Sequence, residues 1–233
     1  IYRDMEVPPG REELNRILSG HPEIMMVMKF AKGEKGTIPG PAILQGTDRV
    51  GFSDVVVDSD GIVRRGLLFL DDGTNFFQSF SWLLALQYLK QEGIVPKPAV
   101  GNPDWVELGQ TVFRPFESYD GSYMGADSQG YQFLLDLERR ENHFPTIEFG
   151  ALLAGDFRPE LVQDHIVLIG VVAQGVKDYF ITSQCGSLST CPPIPGIELH
   201  GYMVTQLLRS AQGESQKPIS TFSELQETGW IGL

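Results

Sequence analysis

Cysteine is scarce in this sequence. Cys185 and Cys191 are the only two, too few for a disulfide framework, and a structural zinc would need two more close ligands. The four histidines, His21, His143, His165 and His200, are scattered, and no His-Glu-x-x-His helix occurs. Basic residues are few as well. Lys plus Arg number 18 against 30 Asp plus Glu, a formal charge of −12, and the longest basic runs are the pairs Arg64-Arg65 and Arg139-Arg140. Nucleic acid is therefore excluded as a partner, because a phosphate backbone rewards a basic patch, and an anionic membrane surface would repel the chain. No run approaches the roughly 18 apolar residues of a membrane span. Ile1-Tyr2-Arg3-Asp4 resembles neither an initiator nor a signal peptide, so the sequence is expected to be an excised fragment.

Catalytic signatures are missing too. The Gly-x-Ser-x-Gly turn of a nucleophilic hydrolase does not occur. There is no Walker loop, and Gly170 and Gly175 have the wrong spacing for a dinucleotide turn. No cofactor is expected.

What is present reads as a globular α/β domain. Of the 233 residues, 42% are hydrophobic and 21% charged, close to the average for folded proteins and enough for one domain to bury a core. Gly 26 and Pro 15 indicate many turns and long connections. The fold class expected is a single domain with a mixed β-sheet flanked by helices. Residues 15–18 lie in a short helix opened by the Pro8-Pro9-Gly10 turn, and residues 24–28 form an apolar strand-like run. Residues 50–57 and 62–70 read as two strands of a hairpin joined by Asp58-Ser59-Asp60-Gly61, residues suited to a tight turn. Thr74 or Asn75 caps a helix on which Phe76, Phe80, Leu83, Leu84 and Tyr88 recur at helical spacing, with Gly93 and Pro96 at its end. Short strands are expected at 105–108, 111–116 and 131–137, and short helices at 147–154 and 158–163. Residues 165–170, apolar, β-branched and ended by Gly170, read as the central strand of the sheet. A loop over 171–195 precedes a last helix from 197 to about 211, terminated by Gly213.

Two groups of polar residues stand out. Asp58, Asp60, Arg64 and Arg65 crowd the hairpin turn. An EF-hand loop placed on Asp60 and Gly61 would end on Leu67, where a Glu is required, so a self-balanced structural charge cluster is preferred over a metal site. Asp178, Thr182 and His200 form the second group. If the start of the last helix and the end of the 165–170 strand face one crevice, these three converge where open sheets bind ligands; otherwise His200 is a residue bonded to its neighbours. Cys185 and Cys191 are left open as bridged or free, since oxidation depends on the compartment.

In order along the chain, Asp-Ser-Asp-Gly-Ile-Val-Arg-Arg (58–65), the helix after it, Ile-Val-Leu-Ile-Gly (166–170), Lys-Asp-Tyr-Phe-Ile-Thr (177–182) and Pro-Gly-Ile-Glu-Leu-His-Gly (195–201) resemble the type-two CHASE family. These are sensory extracellular domains associated with cyclases and histidine kinases. The resemblance implies a sensor that is not an enzyme, on the extracytoplasmic (periplasmic) face of the cytoplasmic membrane. Its parent receptor would have membrane spans and would end in a histidine kinase, nucleotide cyclase or Ser/Thr kinase. It further implies that residues 1–212 are the sensor, with its N-terminal strand truncated, and that 213–233 lead to a span. A small-molecule or protein signal, and homodimerisation, are the partners to expect. Gly201 stands where the family usually has Ala, Ser183 stands where Pro is common, and the cysteine-bearing loop is particular to this member. The alternatives from other classes are a hydrolase or transferase using Asp178 and His200, and a dimerisation module without ligand.

Overall fold

The structure, a computed structural model, describes residues 10–30, 37–137, 144–176, 178–183, 192–214, 218–222 and 224–231. Helix α1 (Arg11–Gly20) buries only Leu18. Its C-terminal end is held by Arg49, whose guanidinium donates to the carbonyls of Leu18 (2.7 Å), His21 (2.6 Å) and Ile24 (2.9 and 3.0 Å). A cation there satisfies carbonyls that have no partner within the helix and complements its dipole. It also fixes the entry to β1 (Met26–Met28), which runs parallel to β2 (Val50–Phe52).

The Asp58 turn forms, but its limbs do not make the expected two-stranded hairpin. The Asp58 N–H donates to the Ile62 carbonyl (3.0 Å), the Gly61 N–H donates to the Asp58 carbonyl (2.8 Å), and Val56 bridges Arg65 antiparallel. Beyond that bridge the chain divides among neighbours. Strand β3 (Ile62–Val63) pairs parallel with β10 (Tyr179–Thr182), which in turn pairs antiparallel with β11 (Ile194–Pro195). Strand β4 (Arg65–Asp71) lies between β5 (Phe76–Gln78) and β9 (Tyr131–Leu134), antiparallel to both. The physical reason is burial: Ile62, Val63 and then Arg65, Leu67 and Leu68 are all buried, and a run buried on both faces needs neighbours on both edges, which a lone hairpin cannot supply.

The helix after this strand starts later than its spacing suggests. Asp72 Oδ1 accepts from the N–H groups of Thr74 (2.9 Å) and Asn75 (2.7 Å), so Asp72 and Asn75 are spent on the β4–β5 turn. Phe76 belongs to β5. The N-cap is Ser79, whose hydroxyl accepts from the Trp82 N–H at 3.2 Å, and α2 runs Phe80–Leu89. It lies directly on β2: a Cβ at Gly51 would stand 2.6 Å from the Phe80 Cα, so only glycine fits there.

Strands β6 (Pro96–Ala99), β7 (Asn102–Leu108) and β8 (Thr111–Phe113) form an antiparallel meander. The Tyr131 hydroxyl, which accepts from the Val106 N–H and donates to the Phe113 carbonyl, ties it to β9. Helix α3 (Phe149–Ala154) ends at Gly155, in the left-handed region. Helix α4 (Gly196–Gln212) packs against α2, and its C-terminal carbonyls are met by the Gln110 N–H (2.9 Å) and the Thr111 hydroxyl (2.7 Å). Trp82, Leu89, Leu108, Phe113, Phe133, Leu199 and Leu207 meet in the main core. Helix α5 (Glu224–Ile231) comes last.

The domain is thus the single α/β unit expected, with parallel and antiparallel pairs distributed, among the described residues, over four small sheets. One strand is not where the sequence puts it. Residues 165–170 are in no ladder. They run along α4, with Leu168 against Gly201 and Gly170 against Ile197, while Val167 and Ile169 face outward, Ile169 at 77% exposure. Apolar β-branched composition favours an extended chain, but it does not supply a pairing partner. No helix among the described residues is long and apolar enough to cross a membrane.

Candidate functional site

Asp58 lies at the centre of a dense polar network. Arg65 approaches its Oδ1 through Nη2 (2.6 Å) and Nε (3.0 Å), and Arg64 Nη1 (2.9 Å) and the Tyr123 hydroxyl (2.8 Å) donate to its Oδ2. Arg65 is buried, and its remaining Nη1 donates to the Asp127 carbonyl and the Gln132 side chain, both at 2.7 Å. Its guanidinium lies over the Phe116 ring (4.8 Å) and the Tyr123 ring (5.1 Å), a cation held between two aromatic faces. Arg64 reaches outward to grip both oxygens of Asp60 (3.0 and 2.7 Å).

Electrostatics follow from this geometry. Burial pushes the Asp58 carboxyl up, but donation from Arg64, Tyr123 and Arg65 outweighs it and holds the group below the usual range. Burial, and then the neighbouring Asp58 carboxylate, push the Tyr123 phenol up to about 12. Asp58 is therefore an anion at neutral pH and Tyr123 a neutral donor. Their oxygens are engaged within the protein, and among the described residues no group of three or more His, Cys, Asp or Glu converges on one point.

The second group of sequence candidates is spread along β10 and α4. Asp178 precedes β10, its carbonyl accepting from the Gly196 N–H at 2.9 Å. Its carboxylate fills the space beside Gly196, where a Cβ would stand 2.5 Å from Oδ2, so an anion sits at the positive end of α4. Thr182 closes the other end of the same strand, buried and in register with Val63. Four residues of extended chain separate the two by about 13 Å. His200 is in the second turn of α4 and enclosed: Nδ1 is hydrogen bonded with the Ser81 hydroxyl at 2.9 Å, and the Phe80 ring stands edge-on at 5.7 Å. Burial pushes it down to about 4, so it is neutral at pH 7. The structure thus brings Asp178 to the start of α4, places Thr182 at the far end of β10, and seals His200 between α2 and α4. Cys185 and Cys191 lie outside the described residues.

A third network carries no sequence signal beyond the Asp120-Gly121 turn. Asp120 Oδ1 accepts from Arg114 Nη2 and from the Thr221 hydroxyl (2.8 Å), its Oδ2 accepts from the Glu117 N–H (2.8 Å), and Arg114 Nη2 also donates to the Thr221 oxygen (2.8 Å). Burial raises the Asp120 carboxyl, yet these donors together hold it below the ordinary value. Arg114 and Thr221 are 107 residues apart, a separation that no local pattern reports.

Compared with protein-family models, residues 1–233 match the one described as the CHASE2 domain. Neither a curated protein nor a solved structure matches the chain.

Proposed function

The chain belongs to the CHASE2 family of extracellular sensory domains, typical of signalling receptors, and on that premise we propose that it is the signal-recognising part of a bacterial transmembrane receptor. The cytoplasmic output is a histidine kinase, a nucleotide cyclase or a Ser/Thr kinase, and the domain stands on the periplasmic face of the membrane. The family is sensory rather than catalytic, and the domain turns over no substrate of its own. The observation that carries the reading is the family match over the full length of the chain.

A signal of small-molecule or protein class that prefers one conformation shifts the receptor between states, and residues 213–229 pass the change toward the membrane. Asp178 is the contact to the signal in this reading, because its half-buried carboxylate stands at a helix start. Thr182 and His200, both buried, hold β10 and α4 in the arrangement that presents it. In the intact receptor, Asp178→Ala should reduce the response of the output domain to its signal while the fold is retained. An unchanged response removes Asp178 from the site. An output that never depends on the extracytoplasmic domain overturns the sensor reading itself.

A further inference from the structure

Residues 218–222 are only partly buried, and they are tied to the domain by polar contacts. Half of the Ile219 side chain is exposed and Phe222 is 58% exposed. The Thr221 hydroxyl is the anchor: it donates to Asp120 and accepts from Arg114, closing a three-membered ring with the Arg114–Asp120 ion pair. Its methyl group packs where Gly121 has no side chain, 3.3 Å from the position of a Cβ. The other side of this contact, the loop over residues 114–123, is itself fastened. Phe116 and Tyr123 enclose Arg65, and the Tyr123 hydroxyl donates to Asp58.

We propose that Arg114, Asp120 and Thr221 form a latch that clamps the segment leading to α5 onto the domain, and that the latch is kept closed by the Asp58–Tyr123 tie. The regulatory meaning rests on the sensor reading above, because a releasable clamp on the segment before α5 is a route by which a change at the 58–65 turn reaches α5. A segment whose large apolar side chains are only half buried opens at lower free-energy cost than the core, and removing one hydrogen bond to a charged group shifts such an opening equilibrium by about tenfold or more. Two mutually supporting contacts around one loop are the arrangement in which deletions do not add.

The test is limited chymotrypsin cleavage after Phe222 in the purified 233-residue chain, under conditions where rate tracks the population of the open form. Thr221→Val should raise the rate about tenfold, while Thr221→Ser, which keeps the hydroxyl, stays near wild type and cleavage within β6–β8 is unchanged. Tyr123→Phe should raise the rate in the wild-type background and add nothing in the Thr221→Val background, where the latch is already open. Equal rates in wild type and Thr221→Val overturn the latch, and independent multiplication of the Tyr123→Phe and Thr221→Val effects overturns the tie. Either result leaves the sensor reading untouched, since that is decided by receptor output.

Discussion

The Ser81 hydroxyl and His200 Nδ1 meet at 2.9 Å in the buried interface between α2 and α4. The residues are 119 positions apart, and their bond fixes the relative placement of the two helices that carry much of the core. It also makes the interface sensitive to acid, because a neutral, enclosed imidazole cannot gain a proton without a solvated partner for the charge.

His200 should therefore produce an acid-dependent loss of stability. Its pKa is near 4 in the folded chain against 6.5 for the ordinary group, so between those values the unfolded chain binds the proton and the folded chain does not. Stability is full above about pH 6.5 and falls as pH drops toward 4, by roughly 2 kcal/mol at pH 5. Urea unfolding at pH 7.5 and pH 5 should show that difference in wild type, and His200→Gln should flatten it. Equal pH dependence in both proteins would falsify the assignment.

The two acidic residues of the 58–61 turn should differ in cost. The Asp58 side chain is 7% exposed and shared by two arginines and Tyr123, whereas Asp60 is 46% exposed and, among the described residues, paired with Arg64 alone among charged groups. Breaking a buried pair leaves an uncompensated charge, here the enclosed Arg65, and costs about 3 kcal/mol or more; an exposed pair contributes little. Asp58→Asn should lower the denaturation midpoint clearly and Asp60→Asn should barely move it. The depressed carboxyl of Asp58 gives the same sign with pH: its stabilisation is present above the ordinary carboxylate range and is lost as pH falls through the folded value.

Ile169→Lys should cost less than about 0.5 kcal/mol, the usual effect of a surface change, because Ile169 points outward from the chain on α4. Were 165–170 a central strand, the same change would bury an unpaired charge and prevent folding. Thermal unfolding of the variant separates the two outcomes directly.

Much of the fold was legible because its signals are local. Asp58 and Gly61 announced a turn, and Gly93, Gly155 and Gly213 marked helix ends, each at positive φ where a side chain is strained. The apolar series through Phe80 and Leu83 located α2. Where structure and local sequence signal part, the reason is the same each time: composition leaves the pairing partner open. Thr74 and Asn75 are as good a cap by composition as Ser79, and only the β4–β5 turn, with Asp72 accepting from both backbones, decides between them. Residues 166–170 carry the composition of a core strand, and only their position against Gly201 and Ile197 shows that one face is covered and the other is not.

The candidate site divides in the same way. Arg64 and Arg65 come soon enough after Asp58 for their pairing to be read from spacing, but Tyr123 and Gln132, which complete it, lie more than sixty residues away. By itself the sequence determined the α/β class, the family resemblance and the local turn chemistry, since these depend on side-chain types within a few residues of one another. Tertiary structure alone decided that His200 meets Ser81, that Asp178 lies at the start of α4, and that Thr221 closes on Arg114 and Asp120. A hydrogen-bonding group has no preferred partner in sequence; which donor meets which acceptor is set by the packing that brings distant elements within 3 Å and excludes the water that would otherwise satisfy both.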